Sequence, residues 1–134
     1  MPSLTLPNAS RSPELDPVMP LGEVVQRLAA RDGVEAVLLL SGDGLPIEHA
    51  TRGALDQETV AALAATLARH AVGLGQGAGL GDVVTGVLEF GRGLFVLARA
   101  GADDWLAVLA RADADIGPLL YDLRQHRSAL ATLL

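Results

Sequence analysis

The chain is 134 residues long, carries a formal net charge of −6 and contains neither cysteine nor lysine. This length fits one domain. Without cysteine, the chain can form neither disulfide bonds nor thiolate metal sites. Without lysine, it can use neither Schiff-base catalysis nor a phosphate-binding loop that ends in Gly-Lys-Ser/Thr. With few aromatic residues, this acidic chain also lacks the basic surface and the stacking platform of a nucleic-acid-binding protein.

The hydropathy pattern favours a cytoplasmic oligomer over a membrane protein. Hydrophobic residues make up 50% of the chain, yet the longest apolar runs fall well short of the roughly 18 residues that span a bilayer. No basic segment precedes an apolar stretch near the N-terminus, as it would in a secretory signal. We therefore expect a cytoplasmic protein that does not insert into a membrane and that covers its apolar excess with a partner subunit.

The first predicted elements are a leader, a helix and a hairpin. Five of the seven prolines lie in the first twenty residues, which predicts a disordered leader over 1–19 and a folded domain over 20–134. Apolar residues at helical spacing predict a helix over 20–31. The segment 34–40 is apolar on both faces and indicates an internal strand. The short polar segment 47–50, which follows an Asp-Gly turn, indicates an edge strand.

Residues 56–74 predict the helix around which the rest of the chain is arranged, with Asp56 as its N-cap. A stripe of mostly larger apolar residues is expected to face the sheet and consists of Val60, Leu63, Ala64, Leu67, Ala71 and Leu74. A second stripe holds only small side chains and consists of Ala61, Ala65, Ala68 and Val72. This second stripe predicts close contact with the same helix of a second subunit. The alternative is an alanine-rich helix that reflects helix propensity alone.

Alternating glycines follow this helix and predict a flexible loop over 75–81, because glycine is unfavourable inside a helix. Their spacing does not match the dinucleotide-binding pattern. Three evenly spaced strands are then predicted over 82–90, 93–100 and 104–112. The first of them carries a central glycine and polar residues, which indicates an edge strand. Since this edge is rich in valine, we expect it to pair with a second copy across a twofold axis through Val83, Thr85 and Val87.

The last predicted element is a helix capped by Asp115. Its buried stripe would consist of Ile116, Leu119, Leu120, Leu123 and Leu130. The predicted order is therefore α-β-β-α-β-β-β-α. This order describes an α+β domain in which a five-stranded antiparallel sheet carries helices on both faces.

No catalytic or metal-binding pattern emerges from the polar residues. The histidines at 49, 70 and 126 lack metal-ligand spacing, Ser41 lacks the Gly-x-Ser-x-Gly elbow, and the aspartates lie where turns and caps favour them. We expect no cofactor, no metal and no enzymatic activity. Arg69 is the most suggestive residue, because it lies on the solvent arc of the central helix beside His70 and could pair with a partner protein. The alternative is a solvated arginine on an exposed helix.

The order of elements resembles the roadblock/dynein light chain superfamily, and in particular its bacterial MglB-like members. The matching segments are LLLSGDGLPIEHA at the first hairpin, the alanine-rich central helix, and LAVLARADADIGPLL at the last strand and helix; together the resemblance covers about residues 20–133. It implies a homodimer in which the central helices lie antiparallel and the third strands join into one sheet. It also implies a partner or regulator of a small Ras-like GTPase, which family members bind on the paired central helices. Some members stimulate hydrolysis without supplying the catalytic residue.

The leading hypothesis is a homodimeric module that docks and regulates a small GTPase. The residues expected to contact the GTPase are Ala62, Thr66, Arg69 and His70. One alternative is a scaffold or adaptor that has no effect on nucleotide turnover. Another is a small-molecule-binding or enzymatic domain that uses the glycine-rich loop.

Overall fold

The structure is a computed structural model that describes residues 20–125. Its elements are, in chain order, α1 (Leu21–Ala29), β1 (Val34–Ser41), β2 (Pro46–Thr51), α2 (Gln57–Gly77), β3 (Thr85–Phe90), β4 (Gly93–Ala100), β5 (Asp104–Ala110) and α3 (Gly117–Gln125). The predicted order of three helices and five strands is confirmed. The predicted leader, His126 and Leu130 lie outside the described residues.

The five strands form one antiparallel sheet in the order β2-β1-β5-β4-β3. β2 and β3 are the edges, and β1, β4 and β5 are internal, as their composition predicts. Internal strands are buried on both faces and therefore read as nearly continuous apolar runs. The hairpin between β1 and β2 uses the expected Asp-Gly turn, in which Gly44 adopts a left-handed conformation with φ of +89°.

Helices α1 and α3 cover one face of the sheet. Val24, Val25 and Leu28 of α1 are buried at the helical spacing that the sequence predicts. They meet Leu119 and Leu123 of α3 in a cluster with the strand residues Val37, Leu39, Val96, Leu106 and Val108. Asp115 accepts a hydrogen bond from the backbone N–H of Gly117 (3.2 Å) at the start of α3. An ion pair between Arg31 and Asp122 ties α3 to the turn that follows α1.

Helix α2 covers the opposite face, but its contact with the sheet is centred on small residues and includes only part of the predicted stripe. Its buried side chains are Ala61, Ala64, Ala65 and Ala68, which pack on Leu38, Leu40, Leu97 and Trp105 of the sheet. Leu63 and Leu74, which we expected to face the sheet, are 64% and 69% exposed. The large core side chains on this face belong to the strands. The helix therefore approaches closely with its small residues, with Val60 and Leu67 half-buried beside them and Leu63 and Leu74 outside.

The C-terminal end of α2 also differs from the prediction. The helix continues past residue 74 to Gly77 and includes three of the glycines. It ends in a Schellman motif. The N–H of Leu80 donates to the backbone carbonyl of Gly75 (2.8 Å), and the N–H of Gly79 donates to the backbone carbonyl of Gln76 (3.3 Å). Gly79 supplies the left-handed residue that this motif needs, with φ of +70°. The predicted loop therefore begins at 78, and β3 begins three residues later than expected.

Asp56 caps the start of α2 as predicted. Its carboxylate accepts from the backbone N–H of Thr59 (3.2 Å) and from the Thr59 hydroxyl (2.7 Å). These hydrogen bonds hold the pKa of Asp56 below its usual value, and the bond from the Thr59 hydroxyl contributes most to this lowering. Within residues 20–125, none of the helices combines the length and the apolar character needed to cross a membrane.

Candidate binding surface on helix α2 and strand β3

Helix α2 lies on the sheet with two different arcs turned outward, one on each side of its buried alanines. One arc faces the turn between β1 and β2 and is polar. It contains the four predicted partner residues, Ala62, Thr66, Arg69 and His70. The other arc lies above β3 and β4 and is apolar. It consists of Val60, Leu63, Leu67 and Leu74.

The polar arc is held by hydrogen bonds along the helix. The guanidinium of Arg69 donates to the hydroxyl of Thr66 (3.1 Å), which in turn donates to the carbonyl of Ala62 (3.0 Å). Ala62, Arg69 and His70 are exposed, and Thr66 is half-buried. Arg69 has no ion pair with any residue in the described part of the chain. The structure thus brings the four residues to one surface and leaves a cation there that a partner could pair with.

Arg69 also borders an open cleft of about 530 Å³, which we call the α2 cleft. Its lining residues are Ser41, Gly42, Asp43, Arg69, Val72, Arg99, Asp103, Asp104 and Trp105. They come from α2, from the β1–β2 turn and from the end of the sheet where β4 and β5 meet. The cleft therefore combines segments that are far apart in sequence. Among its lining residues, only Arg69 and Val72 were predicted as interaction residues from the sequence.

On the other side of α2, the apolar arc and the sheet form an apolar groove of about 240 Å³. Its lining residues are Val60, Leu63, Ala64, Leu67, Leu88, Phe90, Phe95 and Leu109. Leu88 and Phe90 belong to the edge strand β3, and Phe90 is 56% exposed. None of these lining residues is charged. Exposed apolar surface of this kind is typical of interaction sites, so the groove is a candidate site.

Strand β3 pairs with β4 on one side only, so the backbone groups on its other side are free to pair with another strand. Leu88 lies opposite Phe95 and shares its face with the apolar groove. Val87 lies opposite Val96 and shares its face with helices α1 and α3. Alternate side chains of β3, Leu88 and Phe90, therefore line the groove, so the groove reaches the free edge of the sheet.

The residues predicted for a dimer interface lie in different parts of the molecule. Ala61, Ala65 and Ala68 are buried against the chain's own sheet and are not available to a second subunit in this conformation. Val72 and Val83 are half-buried on the same side of the sheet. Thr85 and Val87 lie on the edge strand, on the opposite face from the groove. The prediction did not include the exposed apolar residues Leu63, Leu88 and Phe90, of which only Leu63 belongs to the larger stripe on α2.

No group of three or more histidine, cysteine, aspartate or glutamate side chains in residues 20–125 could hold a metal ion. Among the predicted candidates, His49 lies on the edge strand β2, whereas His70 lies on the polar arc of α2. The two are exposed and belong to different elements. The exposed surfaces of α2 and β3 thus present recognition features, namely a cation, an apolar groove and a free strand edge.

The fold and these surfaces define a roadblock-type α+β domain. The family model of the Roadblock/LC7 domain matches residues 20–110, and the chain belongs to this family. A Roadblock/LC7 domain from Streptomyces avermitilis is similar in structure, with 28% identity, a TM-score of 0.73, and coverage of 83% of this chain and 94% of that one.

Two MglB structures share the fold at lower identity. Myxococcus xanthus MglB is 18% identical with a TM-score of 0.77, and the alignment covers 84% of this chain and 92% of that chain. The gliding protein MglB from Thermus thermophilus is 22% identical with a TM-score of 0.77, and the alignment covers 99% and 96%. No curated protein matches this sequence.

Proposed function

We propose that this protein is a homodimeric binding module that docks a small Ras-like GTPase in the cytoplasm and regulates its nucleotide cycle without supplying a catalytic residue. The observation that carries the proposal is that α2 presents two different exposed arcs, one polar and one apolar, on either side of its buried alanines. Membership of the Roadblock/LC7 family and the resemblance to MglB-like proteins support the choice of a GTPase as partner.

The apolar arc and the β3 edge form the proposed dimer contact. A second copy related by a twofold axis would extend the sheet through its own β3 and would cover Leu63, Leu88 and Phe90. Burial of a leucine or phenylalanine side chain stabilises by about 1.5–3 kcal/mol. This assignment replaces Ala61, Ala65 and Ala68, whose surface is used within the subunit, and it keeps Thr85 and Val87 on the pairing strand.

The polar arc forms the proposed GTPase contact through Ala62, Thr66, Arg69 and His70. Small side chains at 62 and 66 let the backbone of a partner approach the helix closely. Arg69 supplies a cation that is free of any ion pair among the described residues. Its planar fork of donors suits a carboxylate of the partner.

The test is binding of purified small Ras-like GTPases from the same organism, loaded with GDP or with a non-hydrolysable GTP analogue. We expect the dimer to bind the GTP-analogue form, and we expect Arg69→Glu to weaken binding at least tenfold because it places like charges in the contact. Arg124→Glu is the matched control, since Arg124 is exposed on α3 on the opposite face of the sheet. Light scattering gives the mass of each complex.

Three outcomes are informative. Equal affinity of Arg69→Glu and the parent chain would remove Arg69 from the contact. Binding that does not depend on the nucleotide would favour the scaffold over the regulator. If none of the organism's small GTPases binds, the proposed partner is wrong.

A further inference from the structure

Arg99 lies at the meeting point of the α2 cleft and the start of strand β3. Its side chain is 18% exposed, and its guanidinium carbon lies 4.2 Å from the centroid of the Trp105 ring. This stacking on a buried ring holds the planar group in one orientation. Arg99 is therefore a fixed cation, unlike the exposed Arg69 on the other wall of the cleft.

The side chain of Arg99 donates hydrogen bonds to two separate segments, the loop between α2 and β3 and the turn between β4 and β5. One Nη atom donates to Asp82 Oδ1 (2.6 Å) in the loop between α2 and β3. The other Nη atom donates to the carbonyl of Ala102 (3.2 Å) in the turn between β4 and β5. The backbone N–H of Arg99 donates to the carbonyl of Val84 (3.0 Å), one residue before β3 begins.

Apart from Arg99, the loop is held at its start by α2 and at its end by the packing of Val83 on the α2 side of the sheet. The backbone bonds from 78 to 80 all point back into α2, where they complete its Schellman motif. The two glycines that follow the helix, Gly79 and Gly81, have no side chain to pack, and the carbonyl oxygen of Gly81 lies against the backbone of Gly75. Asp82 Oδ1 also accepts from the N–H of Val83 (2.9 Å), so the same carboxylate oxygen shapes the loop and meets Arg99.

We infer that Arg99 is the positioning residue that fixes where the β3 edge begins, through the hydrogen bond and ion pair of its side chain with Asp82, and that it thereby links the α2 cleft to the edge strand. Since Arg99 also lines the cleft, a group that enters there and takes its hydrogen bonds would release Asp82 and loosen the first residues of β3. This inference rests on the proposed function only where it treats β3 as the dimer edge.

Hydrogen exchange of the full chain tests the inference, read in peptides that cover residues 82–88. Asp82→Asn keeps the shape of the side chain and removes the ion pair. We expect exchange in this segment to rise by up to about fivefold, which is the upper end of the range for a partly exposed ion pair. High salt should bring the parent chain toward the same rate, because salt screens exposed charges. Asp103→Asn is the control, since Asp103 lines the same cleft without an ion pair to any described residue.

A second measurement separates this inference from the proposed dimer. Arg99→Ala should raise exchange in residues 82–88 even at concentrations where light scattering reports a monomer. It should also raise the dissociation constant of any dimer that β3 forms. If Asp82→Asn and Arg99→Ala leave exchange in this segment at the parent rate, the inference is wrong. If exchange rises but the parent chain is monomeric at all concentrations, the inference stands and the proposed dimer fails.

Discussion

At Gly75 the backbone of α2 touches the carbonyl oxygen of Gly81, and a Cβ atom at this position would collide with that oxygen. This carbonyl group belongs to the loop that follows α2. Gly73 and Gly77 lie in the same two turns, yet a Cβ atom at either position would meet nothing within 4 Å. Three glycines that look equivalent in the sequence therefore have two different physical roles.

This difference predicts opposite effects of alanine. Gly75→Ala should lower the free energy of unfolding by about 1–3 kcal/mol, since the added methyl group displaces the loop. Gly73→Ala should leave it unchanged or raise it by up to about 1 kcal/mol, because alanine has the higher helix propensity. Urea unfolding followed by circular dichroism measures both. A Gly75→Ala variant as stable as Gly73→Ala would show that the contact with Gly81 does not constrain the helix.

At the scale of the element, α2 places four alanines against the sheet and leaves Leu63 and Leu74 outside. Ala65 is 1% exposed, whereas Ala62, three residues earlier, is exposed on the polar arc. The strands supply the volume on this face through side chains such as Leu40 and Trp105. A larger side chain at 65 would have to push the helix away from the sheet.

We therefore expect Ala65→Leu to lower the free energy of unfolding by about 1–3 kcal/mol through overpacking. Ala62→Leu should change it by less than about 0.5 kcal/mol, since the new side chain lies at the surface. Thermal or urea unfolding of the two variants gives the comparison. Equal stability would mean that the alanine stripe does not pack on the sheet, and it would restore the orientation predicted from the sequence.

At the scale of the whole molecule, the apolar groove and the β3 edge together form the surface on which a second copy is proposed to lie. Leu63→Glu places a charge in the apolar arc, where the parent residue is largely exposed within one subunit. We expect the variant to fold with an unchanged melting temperature when measured as a monomer. Its dimer dissociation constant should rise at least tenfold, because a buried apolar contact is replaced by a desolvated charge.

Light scattering over a concentration series checks this expectation, with the parent chain near twice 13.8 kDa. Tyr121→Glu serves as the control, since Tyr121 is equally exposed but lies on α3, on the opposite face of the sheet. An effect of Tyr121→Glu as large as that of Leu63→Glu would place the interface elsewhere. A dimer that tolerates Leu63→Glu would exclude the groove from the contact.

The candidate surface was predictable only in part. The four residues of the polar arc lie within one helix, so helical spacing alone places them together, and the structure places them on one surface. The α2 cleft and the apolar groove each combine residues from three or more elements. No local pattern in the sequence points to Arg99, because its role depends on contacts with Trp105, Asp82 and Ala102 that form only in the folded chain.

The sequence by itself determined the type and order of all eight elements, the two edge strands and the Asp56 cap, because periodicity, turn chemistry and capping act over a few neighbouring residues. Only the tertiary structure decided which residues of α2 are buried, since that depends on the volume that Leu38, Leu40 and Trp105 already fill on the sheet. It also decided where α2 ends. A helix that contains glycines continues when the loop beyond it satisfies the last carbonyl groups, and here Gly79 and Leu80 do so.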